Sequence, residues 1–173
     1  MGTMKSVAVE FTRPADTTAY TIGDVIGPAS PAVMTFAGIG AGGSRFVHVK
    51  GCRVTTNSTN VTTSGMALHL FNSSITPIAD NAPFTFLWAN RTSYQGTTFV
   101  GDLQTYSGMG YGAGSDAAYG WASADYEGAY GQNPVLAKSA SNGAIYGVLA
   151  AIAAYTPASG QIFRVELIVE QYQ

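Results

Sequence analysis

The sequence predicts an all-β protein: a single-domain β-sandwich, jelly-roll-like, with about eight or nine strands. Runs in which apolar and polar residues alternate, the period of a strand with one buried face, recur along the chain. Clusters of Gly, Pro, Asn and Ser separate these runs, and only the alanine-rich residues 144–154 also fit a helical period. Short strands spaced in this way are typical of a sandwich. An immunoglobulin-like sandwich is the second choice, since the chain has no Cys…Trp…Cys pattern.

The composition indicates a folded domain whose surface suits assembly with other chains. At 173 residues, with 46% hydrophobic and 12% aromatic residues, the chain is long enough to bury a core of its own. We therefore expect residues 1–173 to form one jelly-roll-like domain. Charged residues are 10% of the chain, against about 25% in an average protein. Ser, Thr and Asn lose less solvation free energy than ions do when a partner buries them, which favours assembly.

Charge and cysteine content argue against several classes of protein. The formal net charge is -2 and the basic residues form no cluster, so we expect no nucleic-acid partner. The single cysteine excludes an intrachain disulfide framework. The most apolar run, residues 144–155, is too short to span a bilayer, and the start of the chain lacks a long apolar segment. We therefore expect a soluble protein with no membrane partner, made in a reducing cytoplasm.

The chain opens with its clearest strand. Val7, Val9 and Phe11 alternate with polar or small residues until Pro14, which has no N–H to give to a sheet. Glycines and prolines then predict an irregular connection over residues 20–31. A short strand is expected at residues 33–36.

Residues 38–43 match the pattern G-x-G-x-x-G of dinucleotide-binding loops. Such a loop needs a helix after its last glycine, because the helix N-terminus meets the pyrophosphate. Here residues 44–50 alternate like a strand, which extends to Thr56 with a bulge at Gly51. We therefore expect a flexible hairpin-type connection rather than a nucleotide site.

Several further runs have the length and composition of strands. In residues 161–172, Phe163, Val165, Leu167 and Val169 share the face that we expect to be buried. In residues 66–71 both faces are expected to be partly covered. The runs are residues 66–71, 84–88, 98–103, 135–139, 144–154 and 161–172.

A Gly/Tyr-rich insertion at about residues 104–134 interrupts this pattern. Residues 106–130 have almost no long aliphatic side chains and cannot form an ordinary core alone. We expect either a long loop laid over the sheet or a surface offered to another chain, because Tyr and Trp give a large contact area at low entropy cost. The same rings can stack on sugars, which keeps glycan binding open. The expected assembly contacts in the insertion are Tyr111, Tyr119, Trp121, Tyr126 and Tyr130.

The sequence gives little support for an enzyme or a metal site. The only histidines, His48 and His69, fall in strand patterns, so we expect packed or hydrogen-bonded side chains rather than zinc ligands or a catalytic triad. In a strand, Asp125 and Glu127 would place their carboxylates about 6 to 7 Å apart, near the spacing in an inverting glycosidase. Nothing nearby would separate their pKa values, and Asp116 completes no calcium-binding loop. We therefore expect no enzymatic activity, no catalytic residue, no cofactor and no metal.

Three short stretches carry a resemblance to a known family. They are residues 12–20 (TRPADTTAY) followed by Gly23-Asp24-Val25 and Gly27, residues 68–72 (LHLFN), and residues 78–84 (IADNAPF). These stretches resemble small structural proteins encoded by tailed bacteriophages, among them the capsid decoration or cement proteins. The resemblance implies a jelly roll or related sandwich that forms a homotrimer. It also implies a virion protein of the phage head exterior, assembled in the cytoplasm of the host bacterium.

The role that the resemblance implies is binding to the outer shell, where the protein clamps neighbouring subunits of the major capsid protein. The alternative is a receptor- or glycan-binding module of a phage fibre or head. Residues 12–28 are polar and are expected to form a surface arm, with Arg13, Asp16 and Tyr20 as assembly contacts. A variant with Arg13 and Asp16 replaced should then fold normally and assemble poorly. Deletion of residues 1–11 should unfold the domain by removing a strand.

Overall fold

The computed structural model of the protein describes residues 2–40, 43–58, 65–100, 104–105, 118–123 and 135–171, with only the backbone of 104–105 and 118–123. Within these residues, the strands form two antiparallel sheets that pack face to face. A short 3-10 helix covers Trp88–Asn90. The predicted all-β sandwich is confirmed. In chain order the strands are β1 (Thr3–Thr12), β2 (Val25–Ile26), β3 (Met34–Phe36), β4 (Phe46–Thr56), β5 (Met66–Phe71), β6 (Tyr94–Val100), β7 (Gln104–Thr105), β8 (Ala118–Ser123), β9 (Val135–Lys138), β10 (Ile145–Ala151) and β11 (Ile162–Gln171).

The order of the strands is that of a jelly roll. In the first sheet the order is β1-β11-β4, and β8 and β9 pair with successive parts of the far edge of β4. In the second sheet the order is β6-β5-β10, and β2 and β3 share the far edge of β10. Apart from β7, which extends the first sheet beyond β8, each sheet is four strands wide. The chain crosses between the sheets after β1, β3, β4, β6, β9 and β10, as expected for a jelly roll of about eight strands.

The core lies between the two sheets and follows the alternation of the sequence. The four residues of β11 that were expected to share a buried face, Phe163, Val165, Leu167 and Val169, are fully buried. Met66, Leu68 and Leu70 of β5 face them from the second sheet. Each such side chain contributes about 1.5 to 3 kcal/mol to folding by leaving water.

A second apolar cluster lies outside the sandwich, on the outer face of the second sheet. It contains Val25, Phe71, Ile75 and Val148, and partly buried aromatic residues pack against it. The residues between β5 and β6, named loop 72–93 below, cover this face. The prediction that both faces of β5 are covered is therefore confirmed.

Loop 72–93 is held by backbone hydrogen bonds rather than by regular structure. Its two ends meet where the N–H of Asn72 donates to the C=O of Ser93 at 2.8 Å. Val25 exchanges hydrogen bonds with the loop, because its N–H donates to Ala82 and its C=O accepts from Asn81, both at 2.9 Å. These bonds give the loop a defined conformation over the sheet.

One predicted strand is wrong. Residues 84–87 have no regular secondary structure, and the 3-10 helix follows directly. The apolar composition of FTFLW has another cause: Phe84 packs on His69, while Phe86, Leu87 and Trp88 are exposed. The next strand, β6, begins at Tyr94 rather than at Thr98. The irregular connection expected over residues 20–31 contains the short strand β2.

The chain passes from the second sheet to the first between β3 and β4, the stretch that contains the glycine-rich pattern. Since β3 pairs with β10 and β4 pairs with β11, the connection crosses the sandwich and the expected hairpin is wrong. It leads into β4 at Phe46, without the helix that a nucleotide site requires. The predicted bulge is confirmed, because the register shift between Ile168 and Val169 leaves Lys50, next to Gly51, as the extra residue of β4.

Part of the Gly/Tyr-rich insertion belongs to the first sheet. The backbone of β8 pairs with β4, and Tyr119 and Trp121 lie opposite Thr55 and Arg53. For these residues the expected loop laid over the sheet is wrong, since the segment supplies a strand. The predicted residues Tyr111, Asp116, Asp125, Tyr126, Glu127 and Tyr130 lie outside the described residues.

Candidate functional site

A buried polar cluster surrounds Arg13, just beyond the end of β1. The side chain is 0% exposed. Its Nε donates to the Tyr20 hydroxyl at 3.0 Å, and its Nη2 donates to Asp16 and Asp80 carboxylates at 3.1 and 3.2 Å. Its Nη1 donates to the backbone C=O groups of Asp16 and Ala158. The guanidinium thus makes as many hydrogen bonds as it has N–H donors.

Asp80 completes the cluster from loop 72–93. Its Oδ1 accepts from the Tyr20 hydroxyl at 2.5 Å and from the N–H of Gly27 at 2.9 Å. Burial and the hydrogen bond to Asp80 raise the pKa of Tyr20 above its ordinary value, which keeps the hydroxyl a neutral donor. Burial alone would lower the pKa of Arg13, but its bonds to Tyr20 and Asp16 and the charge of Asp80 raise it instead. The cluster therefore holds one buried cation against one buried carboxylate.

The structure corrects the predicted surface arm at Arg13 and Tyr20, whereas residues 15–19 are exposed. Arg13 and Tyr20 are buried within the chain and cannot contact a neighbour directly, whereas the Asp16 side chain is 47% exposed. Thr18 and Arg13 donate to Asp16 and hold the pKa of its carboxyl below its usual value. We now expect a variant that lacks Arg13 to lose stability, the opposite of the expectation drawn from the sequence.

Residues 12–20, 68–72 and 78–84, which are distant in sequence, contribute side chains that contact one another in this part of the fold. Arg13 and Tyr20 of the first stretch contact Asp80 of the third. His69 of the second stacks on Phe84 of the third, with ring centroids 4.1 Å apart. These contacts hold loop 72–93 against the second sheet.

His69 is a packed, hydrogen-bonded strand histidine, as predicted. Its Nδ1 lies 3.0 Å from the Thr97 hydroxyl, and burial lowers its pKa to about 4, so the ring is neutral near pH 7. His48 lies in β4 opposite Glu170 and Leu136. Among the described residues, no group of three or more His, Cys, Asp or Glu side chains is placed to hold a metal ion.

Loop 72–93 presents an apolar surface, named the loop patch below. Phe86, Leu87 and Trp88 follow one another on its outside, and Trp88 is 76% exposed. Ile22 is also exposed, and the C=O of its neighbour Gly23 accepts a hydrogen bond from the N–H of Phe84. The ring of Phe86 is fixed edge-on against Tyr94, with centroids 4.9 Å apart. The patch is thus a defined surface rather than a group of free side chains.

A pocket of about 130 Å³ opens beside the loop patch. Its walls are mostly carbon. Arg91 follows the lining residue Asn90 in the chain, and its guanidinium lies over the Trp88 ring, 4.6 Å from the ring centre. Nη1 of Arg91 donates to the C=O of Trp88 at 2.9 Å. The pocket is lined by Ile75, Thr76, Pro77, Ile78, Pro83, Thr85, Leu87 and Asn90.

A second exposed apolar surface, named the sheet patch below, lies on the outer face of the first sheet. Phe46 of β4 and Leu136 of β9 are both more than half exposed, and Leu136 is paired with His48. Lys138 places its ammonium group 5.8 Å from the centre of the Phe46 ring. Met4 of β1 is also exposed, in the row that runs through Glu170. The sheet patch and the loop patch therefore lie on opposite outer faces of the sandwich.

The edge of β1 that faces away from β11 is open. The N–H of Arg13 donates to the C=O of Gln161 in continuation of the β1–β11 register, so the odd-numbered residues of β1 bond to β11. Even-numbered residues therefore direct their backbone groups outward. Within the described residues, only Thr12 of this row has a backbone partner, the N–H of Ala29. The others are Met4, Ser6, Ala8 and Glu10.

Reasoning from the sequence missed both apolar patches. The run Phe86-Leu87-Trp88 breaks strict alternation, which is the signal that could have separated it from a strand. The sheet patch has no local signal, since Phe46 and Leu136 are brought together by the pairing of β4 with β9.

Comparison of the chain with protein-family models and with curated proteins found no match. Within the described residues, no helix has the length and apolar character needed to cross a membrane.

Proposed function

We propose that the protein is a structural component of a tailed-phage virion, a decoration or cement protein that binds the exterior of the head. It acts as a homotrimer and stabilises contacts between neighbouring subunits of the major capsid protein. The observation that carries the proposal is the pair of apolar patches on opposite outer faces of one sandwich. A protein that clamps two neighbours needs two separate contact surfaces.

The size of each patch favours cooperation between many weak contacts. Burying the exposed side chains of Phe86, Leu87 and Trp88 contributes at most about 5 to 9 kcal/mol. Association itself costs about 4 to 15 kcal/mol in lost freedom of motion. One patch alone therefore gives weak binding. A trimer that engages several subunits multiplies modest contacts into tight attachment.

The open edge of β1 offers a third contact of a different kind. Val7, Val9 and Phe11 are only partly buried, whereas their neighbours on β11 are fully buried. A strand from another chain that pairs with this edge would cover them and satisfy the outward backbone groups. Such pairing depends on backbone hydrogen bonds and apolar packing and needs no reactive group, which supports an assembly role.

The polar groups of the cluster around Arg13 also support a structural role. Arg13, Tyr20 and Asp80 are buried and bonded to one another, which leaves them no access to a substrate. The neutral His69 lies under loop 72–93, against Phe84. These side chains stabilise the fold that presents the patches.

The experiment that tests the proposal is binding to emptied, undecorated phage capsids, with light scattering after size exclusion to measure the mass of the free protein. We expect a trimer that saturates the shells at a fixed ratio to the capsid subunits. Shells that unfold at a higher temperature after decoration would add support. A monomer that ignores the shells would overturn the proposal.

A receptor- or glycan-binding module is the second candidate, favoured by the exposed ring of Trp88 beside Arg91. Sugars stack on such rings but also need several polar partners. The neighbouring pocket is lined mainly by Ile, Pro and Leu side chains, which favours an apolar protein side chain instead. Specific signals on a glycan array, together with no binding to shells, would support this alternative.

A further inference from the structure

We infer that the loop patch binds an extended acidic segment of a partner protein, with one bulky apolar side chain of that segment in the pocket and a carboxylate on Arg91. The inference deepens the proposed function, on which it rests, by naming the chemistry of the segment that the capsid presents. The juxtaposition that carries it is an apolar pocket next to an exposed Trp–Arg pair on a fixed loop.

The pocket has the size and lining for one apolar side chain. Its volume is about 130 Å³, and a cavity of about 150 Å³ with an aliphatic lining accepts a benzene ring. Ile75, Ile78 and Leu87 supply aliphatic walls, and Pro77 and Pro83 also line the pocket. A leucine, methionine or phenylalanine side chain therefore suits this site better than a sugar or a charged group.

The exposed guanidinium of Arg91 favours a negatively charged partner segment. Loop 72–93 contains two residues with formal charge, and Asp80 is already paired with Arg13 inside the fold. Arg91 is exposed, and among the described residues its guanidinium contacts the Trp88 ring and the Trp88 C=O. One hydrogen bond leaves most of its five N–H donors for a carboxylate, which an Arg fork can bind at two points.

The loop patch is ordered before it binds. Hydrogen bonds at Asn72, Asn81, Ala82 and Phe84 fix the backbone, and the Arg13–Asp80 ion pair fixes the middle of the loop. Preorganised surfaces lose little conformational entropy on binding. Trp and Arg in such surroundings are the residues most often found to dominate an interface.

The first test selects binders from a displayed library of random peptides on three immobilised proteins: the wild type, Arg91→Glu and Lys138→Glu. Lys138 lies on the sheet patch, so its variant makes the same change of charge away from the loop patch. We expect the wild type and Lys138→Glu to select peptides that combine Asp or Glu with a bulky apolar residue. Arg91→Glu should select Lys or Arg in place of the acidic residues. No selection by the wild type, or an unchanged acidic preference in Arg91→Glu, would overturn the inference.

The second test measures the affinity of one selected peptide by titration. Replacing its apolar residue by glycine, or Leu87 by serine in the protein, should weaken binding at least tenfold. Equal affinities would overturn the pocket assignment. The same peptide should compete with undecorated shells for the protein. Peptide selection without any shell binding would count against the virion role alone, whereas shell binding that is insensitive to Arg91→Glu would count against the inference alone.

Discussion

Replacing Arg13 by methionine should destabilise the protein by about 3 to 5 kcal/mol, the usual result of removing one partner from a buried ion pair. Methionine fills much of the same space but donates none of the five hydrogen bonds. Asp80, whose side chain is 5% exposed, would be left with only the Tyr20 hydroxyl and the Gly27 N–H as donors. Since small proteins are stable by about 5 to 15 kcal/mol, a loss of this size is easily measured.

The assay is urea unfolding followed by tryptophan fluorescence, at pH 7, on a double-mutant cycle of Arg13→Met and Asp80→Asn. The double variant should lose less than the two single losses added together, because asparagine leaves no unpaired buried charge. If Arg13→Met fails to fold, Arg13→Lys takes its place, because lysine keeps the positive charge but lacks the five N–H donors of the guanidinium. Asp16→Asn is the control on the exposed side of the cluster and should change the midpoint far less.

A loss below about 1 kcal/mol for Arg13→Met would refute this reasoning, because exposed ion pairs are worth that little. A cycle with strictly additive losses would refute it as well, since residues in one network are expected to couple. Either result would show that the Arg13–Asp80 ion pair does not stabilise the fold in the expected way.

Three further predictions follow from the described contacts. Ala8→Pro should fold and lose any contact made by the open edge of β1. Val9→Pro should instead unfold the domain, as measured by circular dichroism, because the N–H of Val9 bonds to β11. The pKa of His69 is about 4 in the folded protein and 6.5 in the unfolded chain, so the unfolded state binds the proton more tightly. The free energy of unfolding should therefore fall by about 3 kcal/mol between pH 6.5 and pH 4. His69→Gln should reduce this dependence on pH in urea titrations. Gly147→Ala should cost about 1 to 3 kcal/mol, measured as a lower unfolding midpoint, because its Cβ would lie 2.9 Å from the Phe36 ring.

The fold could be predicted from the sequence because alternation reports directly which residues face the core. The residues of β11 and β5 that alternate in sequence do line the core, and Pro14 does end β1. The jelly-roll order could be expected only from the number and spacing of strands, since register and sheet order depend on long-range pairs such as Val165 with Val54.

The candidate site could not be predicted in the same way. The polarity of residues 12–28 suggested an exposed arm, but a charged side chain can be buried when a distant partner satisfies it, and Asp80 is 67 residues from Arg13. The apolar composition of FTFLW suggested a strand, although it arises from one ring packed on His69 beside three exposed side chains. Both errors concern contacts that only the folded chain brings together.

The measurement that tests the proposed function most directly is a binding isotherm on undecorated shells for the wild type, Trp88→Ser, Leu136→Ser and the double variant. Both positions are exposed, Leu136 by 59%, so these changes should leave the unfolding midpoint nearly unchanged. We predict that each single variant binds at least tenfold more weakly, and that the double variant does not decorate the shells. A double variant that decorates shells as the wild type does, or a wild type that does not bind them, would contradict the proposal.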